Sequence, residues 1–275
     1  MKTNIFTLFI AIGIMAISCN KEDASTNSQQ GISKEEIAME GKLDKSIDDV
    51  DNIIEEGFLM QSGSGGKTLN SSRFLSDCGT ISSTLTGSTW SVTIDFGTTG
   101  CTLWNGNILK GKIILSFTND FQAMTKVVSY TFENFYHNDV SLNGNKTFTR
   151  VRANANGNPE TRFDVSLTLV LANGDTYSRT GLRVKEWTAG YDTPHTLSDD
   201  VYIITGNWTA VSPQGTKSAS VTVPLKKLGN CRYIVEGIVV FTRNESEATL
   251  DYGSGGCDDQ AMLSIDGGAA TAITL

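Results

Sequence analysis

The chain contains one seven-residue pattern twice, as Asp95-Phe96-Gly97-Thr98-Thr99-Gly100-Cys101 and as Asp251-Tyr252-Gly253-Ser254-Gly255-Gly256-Cys257. Each copy follows an alternating apolar run, which predicts a strand that leads into a glycine turn. Cys78 precedes the first copy and Cys231 the second, with spacings of 23 and 26 residues. The similar spacings favour disulfides Cys78–Cys101 and Cys231–Cys257 among the three pairings that four cysteines allow. Free or metal-binding thiols are the alternative, but without a Cys-x-x-Cys spacing the sequence does not indicate zinc.

The rest of residues 78–275 predicts an all-β domain. Apolar and polar residues alternate in at least five runs, of which Trp90–Phe96 and Phe163–Leu171 are the clearest. Turn signals lie between such runs: Asn105-Gly106, Asn143-Gly144, Asn173-Gly174 and Pro213-Gln214-Gly215. No crossover helices are indicated, so we expect a dozen or more strands in a large antiparallel meander, either a sandwich or a curved sheet resembling a half-barrel.

Residues 1–18 have the layout of a secretory signal, with one lysine and then a short apolar run. The run ends in Ala16-Ile17-Ser18-Cys19, which resembles a bacterial lipobox, although the family prefers Leu where Ala16 stands. We therefore expect lipidation of Cys19, by palmitate or similar acyl chains, and a membrane anchor. An ordinary cleaved signal with a chance cysteine is the alternative. Asn20-Lys21-Glu22-Asp23 is similar to an outer-membrane export signal, which favours the cell surface over the periplasmic face.

Residues 19–32 predict an acidic and polar tether, residues 33–58 an amphipathic helix, and residues 59–77 a Gly/Ser-rich linker. Ser33 and Glu36 form a capping-box pattern, and Gly57 is placed as a C-cap. One apolar stripe runs along the predicted helix, through Met39, Leu43, Ile47, Val50, Ile54 and Phe58. The stripe either packs on the β domain or makes the helix a stalk that binds a partner.

The charge is concentrated near the amino terminus. Residues 20–60 hold eleven acidic and four basic residues, whereas residues 61–275 hold nineteen and seventeen. The β domain therefore carries no basic excess with which to neutralise phosphates, so we do not expect nucleic-acid binding.

No catalytic constellation is evident, and we expect no cofactor. His137 and His195 are too few for a confident triad or metal cluster, and Asp95 and Asp251 are weak calcium candidates. Aspartates in such glycine turns more often accept backbone hydrogen bonds. Of the aromatic residues, Trp104 beside Asn105-Gly106 is the best candidate for an exposed ligand contact. The others considered for a sugar-stacking platform are Trp90, Trp187, Trp208, Tyr136 and Tyr191.

Several stretches together resemble a group of Bacteroidota cell-envelope lipoproteins of unknown function. They are Ser91–Gly97, Gly111–Ile114, Thr131–Tyr136, Asp200–Gly206 and Asp251–Asp258, with a departure at Asp259 where the group has Asn. The resemblance implies a lipid-anchored envelope protein and transfers no activity. We therefore expect a non-enzymatic binding or structural role at the outer membrane, with a glycan, lipid or envelope protein as partner. A carbohydrate- or lipid-binding module is the alternative, and a hydrolase is the third class.

Overall fold

The computed structural model describes residues 31–63, 74–75, 78–193 and 196–275. The predicted signal peptide, Cys19, most of the tether and linker, and His195 lie outside these residues. Residues 31–275 form one compact unit.

The β domain is a single antiparallel sheet, which confirms the predicted fold class. Its strands are β1 (Thr80–Thr86), β2 (Thr89–Asp95), β3 (Cys101–Thr102), β4 (Ile108–Thr118), β5 (Thr125–His137), β6 (Val140–Asn143), β7 (Asn145–Val151), β8 (Glu160–Val170), β9 (Thr176–Ala189), β10 (Val201–Ser212), β11 (Gly215–Leu228), β12 (Ile234–Arg243), β13 (Ser246–Ser254), β14 (Gln260–Ile265) and β15 (Thr271–Thr274). Neighbours in the sheet are mostly neighbours in sequence. Three of the four predicted turns join strands that pair with each other: Asn105-Gly106, Asn173-Gly174 and Pro213-Gln214-Gly215. The hairpin prediction at Asn143-Gly144 is wrong, because β6 and β7 both lie between β5 and β8 and do not pair with each other. A short 3-10 helix, Leu197–Asp199, precedes β10.

The helix α1 spans Lys34–Gly63 and begins as the sequence predicts. The Glu36 amide donates to Ser33 Oγ at 3.2 Å, and Ile32 and Ile37 on either side of the cap are both buried. Its end differs from the prediction, because α1 continues to Gly63 rather than stopping at Phe58. Gly57 is therefore not a C-cap. A Cβ at Gly57 would lie 2.7 Å from Ile94 Cδ1, so this glycine lets α1 approach β2 closely.

Helix α1 is enclosed by the sheet on several sides. Gly57 meets β2, whereas Lys45 Nζ donates to the carbonyl of Leu275 at 2.6 Å, beyond the other end of the sheet. Between these contacts lie ion pairs to strands in the middle of the sheet. The apolar stripe is buried apart from the half-buried Met39, so it packs on the β domain and does not form a free stalk.

The core has two apolar clusters that share the helix. The larger one joins Leu43 to Met60 of α1 with strands β2 to β9. Phe58 makes edge-to-face contacts there with Phe117 and Phe148, at centroid distances of 5.0 and 5.9 Å. The smaller cluster joins Ile32 and Ile37 to strands β10 to β15. The sheet therefore has no continuous core without α1.

Both predicted disulfides, Cys78–Cys101 and Cys231–Cys257, are present. The loops that they fasten also meet, because Arg232 donates to the carbonyl of Asn105 at 3.4 Å. The two copies of the seven-residue pattern thus belong to disulfide-fastened units that are neighbours in space.

Candidate functional site

The largest concentration of charge in the described structure lies between α1 and the inner face of the sheet. Acidic residues recur along one side of α1 at intervals of four or three: Glu36, Glu40, Asp44, Asp48, Asp51 and Glu55. Such residues lie above one another on a helix. Strands β7, β9, β11 and β12 direct basic side chains at this row.

Ion pairs connect four of the six carboxylates of the row to two cations each, and a fifth, Asp44, to one. The pairs are Glu36 with Lys217 and Arg243, Glu40 with Lys217 and Arg179, Asp44 with Arg179, Asp48 with Arg183 and Lys227, and Glu55 with Lys185 and Arg150. The side chain of Lys217 is fully buried and that of Glu40 is 1 % exposed. Buried charges are tolerated when they are paired and hydrogen-bonded, and this arrangement meets both conditions.

The pKa values in the row follow from burial set against these cations. For Glu55, burial alone would raise the carboxyl pKa, but Lys185 and Arg150 outweigh it and lower the pKa to about 2. The pKa of Glu40 is also lowered, since Arg179 and Lys217 outweigh its burial. For Asp44, burial outweighs Arg179 and the pKa is raised. Most of the row is thus held ionised at neutral pH.

Asp51 is the exception in the row, because none of the ion pairs found among the described residues includes it. Burial raises its pKa to about 7. Burial also lowers the pKa of Lys146 to about 7, and the two groups influence each other's titration.

Ser46, His137 and Asp49 form a row that superficially resembles a catalytic triad. Ser46 Oγ lies 3.1 Å from His137 Nδ1, and His137 Nε2 lies 2.8 Å from Asp49 Oδ2. Ser46 and His137 are 5 % and 2 % exposed, so no substrate can reach the serine oxygen. Asp49 also accepts hydrogen bonds from Asn105 and Asn107. The row therefore ties α1 to β5 and to the β3–β4 turn.

Trp104 is 49 % exposed, as the sequence predicts. It lines a cavity where α1 meets the two disulfide-fastened loops, together with Asp49, Lys227, Cys231 and Arg232. The cavity holds about 20 Å³, which is room for one or two water molecules. A sugar or acyl chain does not fit inside it, so Trp104 can contact a ligand only at the surface.

The other predicted site residues are dispersed. Asp95 and Asp251 each accept the amide of the glycine two residues on, Gly97 and Gly253, at 2.8 Å, which is the turn-shaping role. In the described part of the chain, no group of three His, Cys, Asp or Glu residues is placed to hold a metal ion. Trp187 and Trp208 are buried, and Trp90 is half-buried. Tyr136 and Tyr191 are exposed, but neither lines the cavity that Trp104 lines.

A second, larger cavity of about 330 Å³ opens at the carboxyl end of α1. Its apolar lining includes Phe58, Leu59 and Phe121, and its cations include Lys126 and Arg152. Lys126 is 5 % exposed, yet within the described ranges its ammonium donates only to the neutral oxygens of Thr118, at 3.1 and 3.2 Å. Among the described residues neither cation is paired with a carboxylate, so the cavity combines an apolar wall with unneutralised positive charge.

Described by its fold, the protein is an all-β antiparallel meander built around a single helix. No protein-family model, curated protein or solved structure is significantly similar to the chain. In the described residues no helix combines the length and apolar character needed to cross a bilayer.

Proposed function

We propose that this protein is a lipid-anchored outer-membrane lipoprotein, exposed at the cell surface, with a non-enzymatic binding or structural role. Cys19 of the lipobox carries the acyl chains. The proposal rests on the signal, the lipobox and the export-signal resemblance in the sequence.

One structural observation supports the role in particular. The helix that follows the tether fills the inner face of the sheet and is held there by buried ion pairs on both sides of its centre. A load on the anchor at Cys19 would thus pass into the core of the β domain rather than into a surface loop. Apart from Asp51, the carboxylates of the row are all in ion pairs with basic side chains of the sheet, which supports a binding or structural role over catalysis.

The experiment compares full-length protein with Cys19→Ala in cells of the source organism. Cys19→Ala should abolish incorporation of a labelled fatty acid and release the protein from membranes, whereas Ser28→Ala in the tether should change neither. Retention of the Cys19→Ala protein in the outer-membrane fraction would refute the anchor. Digestion by protease added to intact cells distinguishes the surface from the periplasmic face.

The absence of turnover is tested separately, because anchoring and catalysis are independent. The detergent-solubilised protein is screened against ester, glycoside and peptide substrates. Turnover that follows the protein through purification would refute the non-enzymatic role.

A lipid-binding module is the second candidate, and the cavity at the end of α1 is the observation in its favour. An apolar wall with Lys126 and Arg152 suits an amphiphile with a carboxylate or phosphate head. A fluorescent fatty acid such as 11-(dansylamino)undecanoate is a suitable probe. Lys126→Ala with Arg152→Ala should weaken its binding about tenfold or more, and Lys110→Ala, a lysine outside the cavity, should not. Equal binding by all three proteins would exclude this site.

A further inference from the structure

The strand β1 forms one edge of the sheet and pairs only with β2 in the described structure. Its sequence, Thr80-Ile81-Ser82-Ser83-Thr84-Leu85-Thr86, has neither a charge nor a proline, and all of its residues except Ile81 are exposed. Exposed edge strands are usually protected by charges, prolines or bulges, because their free backbone groups can pair with another strand. Strand β1 has none of these protections.

The opposite edge of the sheet is protected. Strand β15 has only four residues, and Lys34 Nζ of α1 donates to the carbonyl of Ala272 at 3.2 Å. Lys45 donates to the carbonyl of Leu275 just beyond the strand. Two helix lysines thus occupy carbonyls at that edge, so the two ends of the sheet differ in their capacity to accept a further strand.

We propose that β1 pairs with β1 of a second copy of this chain, antiparallel, with Ser83 on the two-fold axis. In this register Thr80 lies opposite Thr86 of the other copy, Ile81 opposite Leu85, and Ser82 opposite Thr84. Each pair therefore joins similar side chains, and each pair away from Ser83 occurs twice, as two-fold symmetry requires.

The faces of the strand also match in this register. Ile81, Ser83 and Leu85 lie beside Ile94, Val92 and Trp90 of β2, which places them on the core-facing side of the sheet. Leu85 is 42 % exposed in the single chain. Pairing about Ser83 brings the exposed Leu85 against the half-buried Ile81 of the second copy twice, so both apolar residues of the strand gain a cross-strand partner. A shift by one residue would place the two apolar rows on opposite faces.

Cysteine cross-linking on the full chain in membranes tests both the pairing and the register. Ser83→Cys should form a disulfide-linked dimer under mild oxidation, because residues directly opposite have Cα atoms about 4.5–5.5 Å apart. Ser82→Cys and Thr84→Cys should each cross-link poorly alone and well when the two variants are co-expressed. Absence of the Ser83→Cys dimer, or equal cross-linking by all three single variants, would overturn the proposal.

A charge substitution provides a second measurement that does not depend on thiol chemistry. Ser83→Lys places two ammonium groups directly opposite each other and should raise the dimer dissociation constant about tenfold or more in sedimentation experiments. Ser91→Lys is the matched control, since Ser91 is also exposed but lies on β2, away from the edge. A wild-type monomer at all concentrations, open-ended polymers, or equal effects of both substitutions would contradict β1 self-pairing.

Discussion

Arg179 joins the amino-terminal half of α1 to the sheet, and Arg179→Ala is the substitution that most directly probes this contact. The guanidinium donates to Glu40 at 2.5 Å and also pairs with Asp44. Its side chain is 4 % exposed and lies over the ring of Trp208, with 5.5 Å from the guanidinium carbon to the ring centroid. Removing it leaves two carboxylates without this partner in a buried setting.

The expected loss in the free energy of unfolding is about 3–5 kcal/mol, the usual result of removing one partner of a buried ion pair. Glu40 keeps Lys217 at 2.8 Å, so much of the cost falls on Asp44. A loss of this size is a large fraction of the stability of an ordinary domain, about 5–15 kcal/mol. The deficit should be smaller at pH 5 than at pH 8, because the unpaired carboxylates can then become protonated.

Urea unfolding followed by circular dichroism measures this difference. Arg162→Ala is the matched control, because Arg162 also pairs with a glutamate at 2.5 Å but is 54 % exposed. That control should lose about 0–1 kcal/mol. If Arg179→Ala were no more destabilising than Arg162→Ala, the buried ion-pair row would not stabilise the helix in its place.

Three further predictions concern the fold. Gly111→Ala should destabilise the protein by about 3 kcal/mol or more, because φ is +81° and a Cβ would lie 2.1 Å from a carbonyl oxygen of β5. Gly174 is the control: its φ is +90° but its turn is open, so Gly174→Ala should cost about 1–2 kcal/mol in the same urea assay. Cys78→Ser should lower the free energy of unfolding by about 3 kcal/mol relative to the oxidised wild-type protein in the loop-entropy model. The variant and the wild-type protein should be equally stable when both are fully reduced. Asp51→Asn should flatten the stability profile between pH 3.8 and about 7, because a carboxyl with a raised folded-state pKa makes stability fall as pH rises through that range. An unchanged stability profile in the Asp51→Asn variant would contradict the burial of Asp51. The pKa of Glu55 is lowered, so that residue should still cause a loss of stability as the pH falls below 4.5.

The strands and turns were predictable from the sequence because their signals are local. Alternation at Trp90–Phe96 and the Asn173-Gly174 turn each specify a strand or hairpin without knowledge of the rest of the chain. The disulfide pairing followed from the similar spacings of the two cysteine pairs. The start of α1 was equally local, since Ser33 and Glu36 supply its cap.

The interior charge was not predictable in the same way. From the sequence alone, the acidic row on α1 is typical of a solvent-exposed helix face, because helices commonly expose their charged side. Its partners, such as Arg179 and Lys217, occur on separate strands more than a hundred residues later, and only the folded sheet brings them together. Two features of the sequence could have indicated the buried ion pairs. Acidic residues recur at intervals of four or three from Glu36 to Glu55, and several strands with a buried-strand pattern contain Arg or Lys. For the same reason the helix end was missed, since the packing of Gly57 on Ile94 outweighs its local preference to end a helix.

Hydrogen exchange measured by mass spectrometry on the full chain tests most directly whether α1 is the core of the β domain. Amides of residues 36–58 should exchange as slowly as those of β9 and β10, because the helix cannot open without breaking the ion pairs and both apolar clusters. Exchange of those helix amides within seconds, while the strands remain protected, would show that the helix does not hold the sheet together.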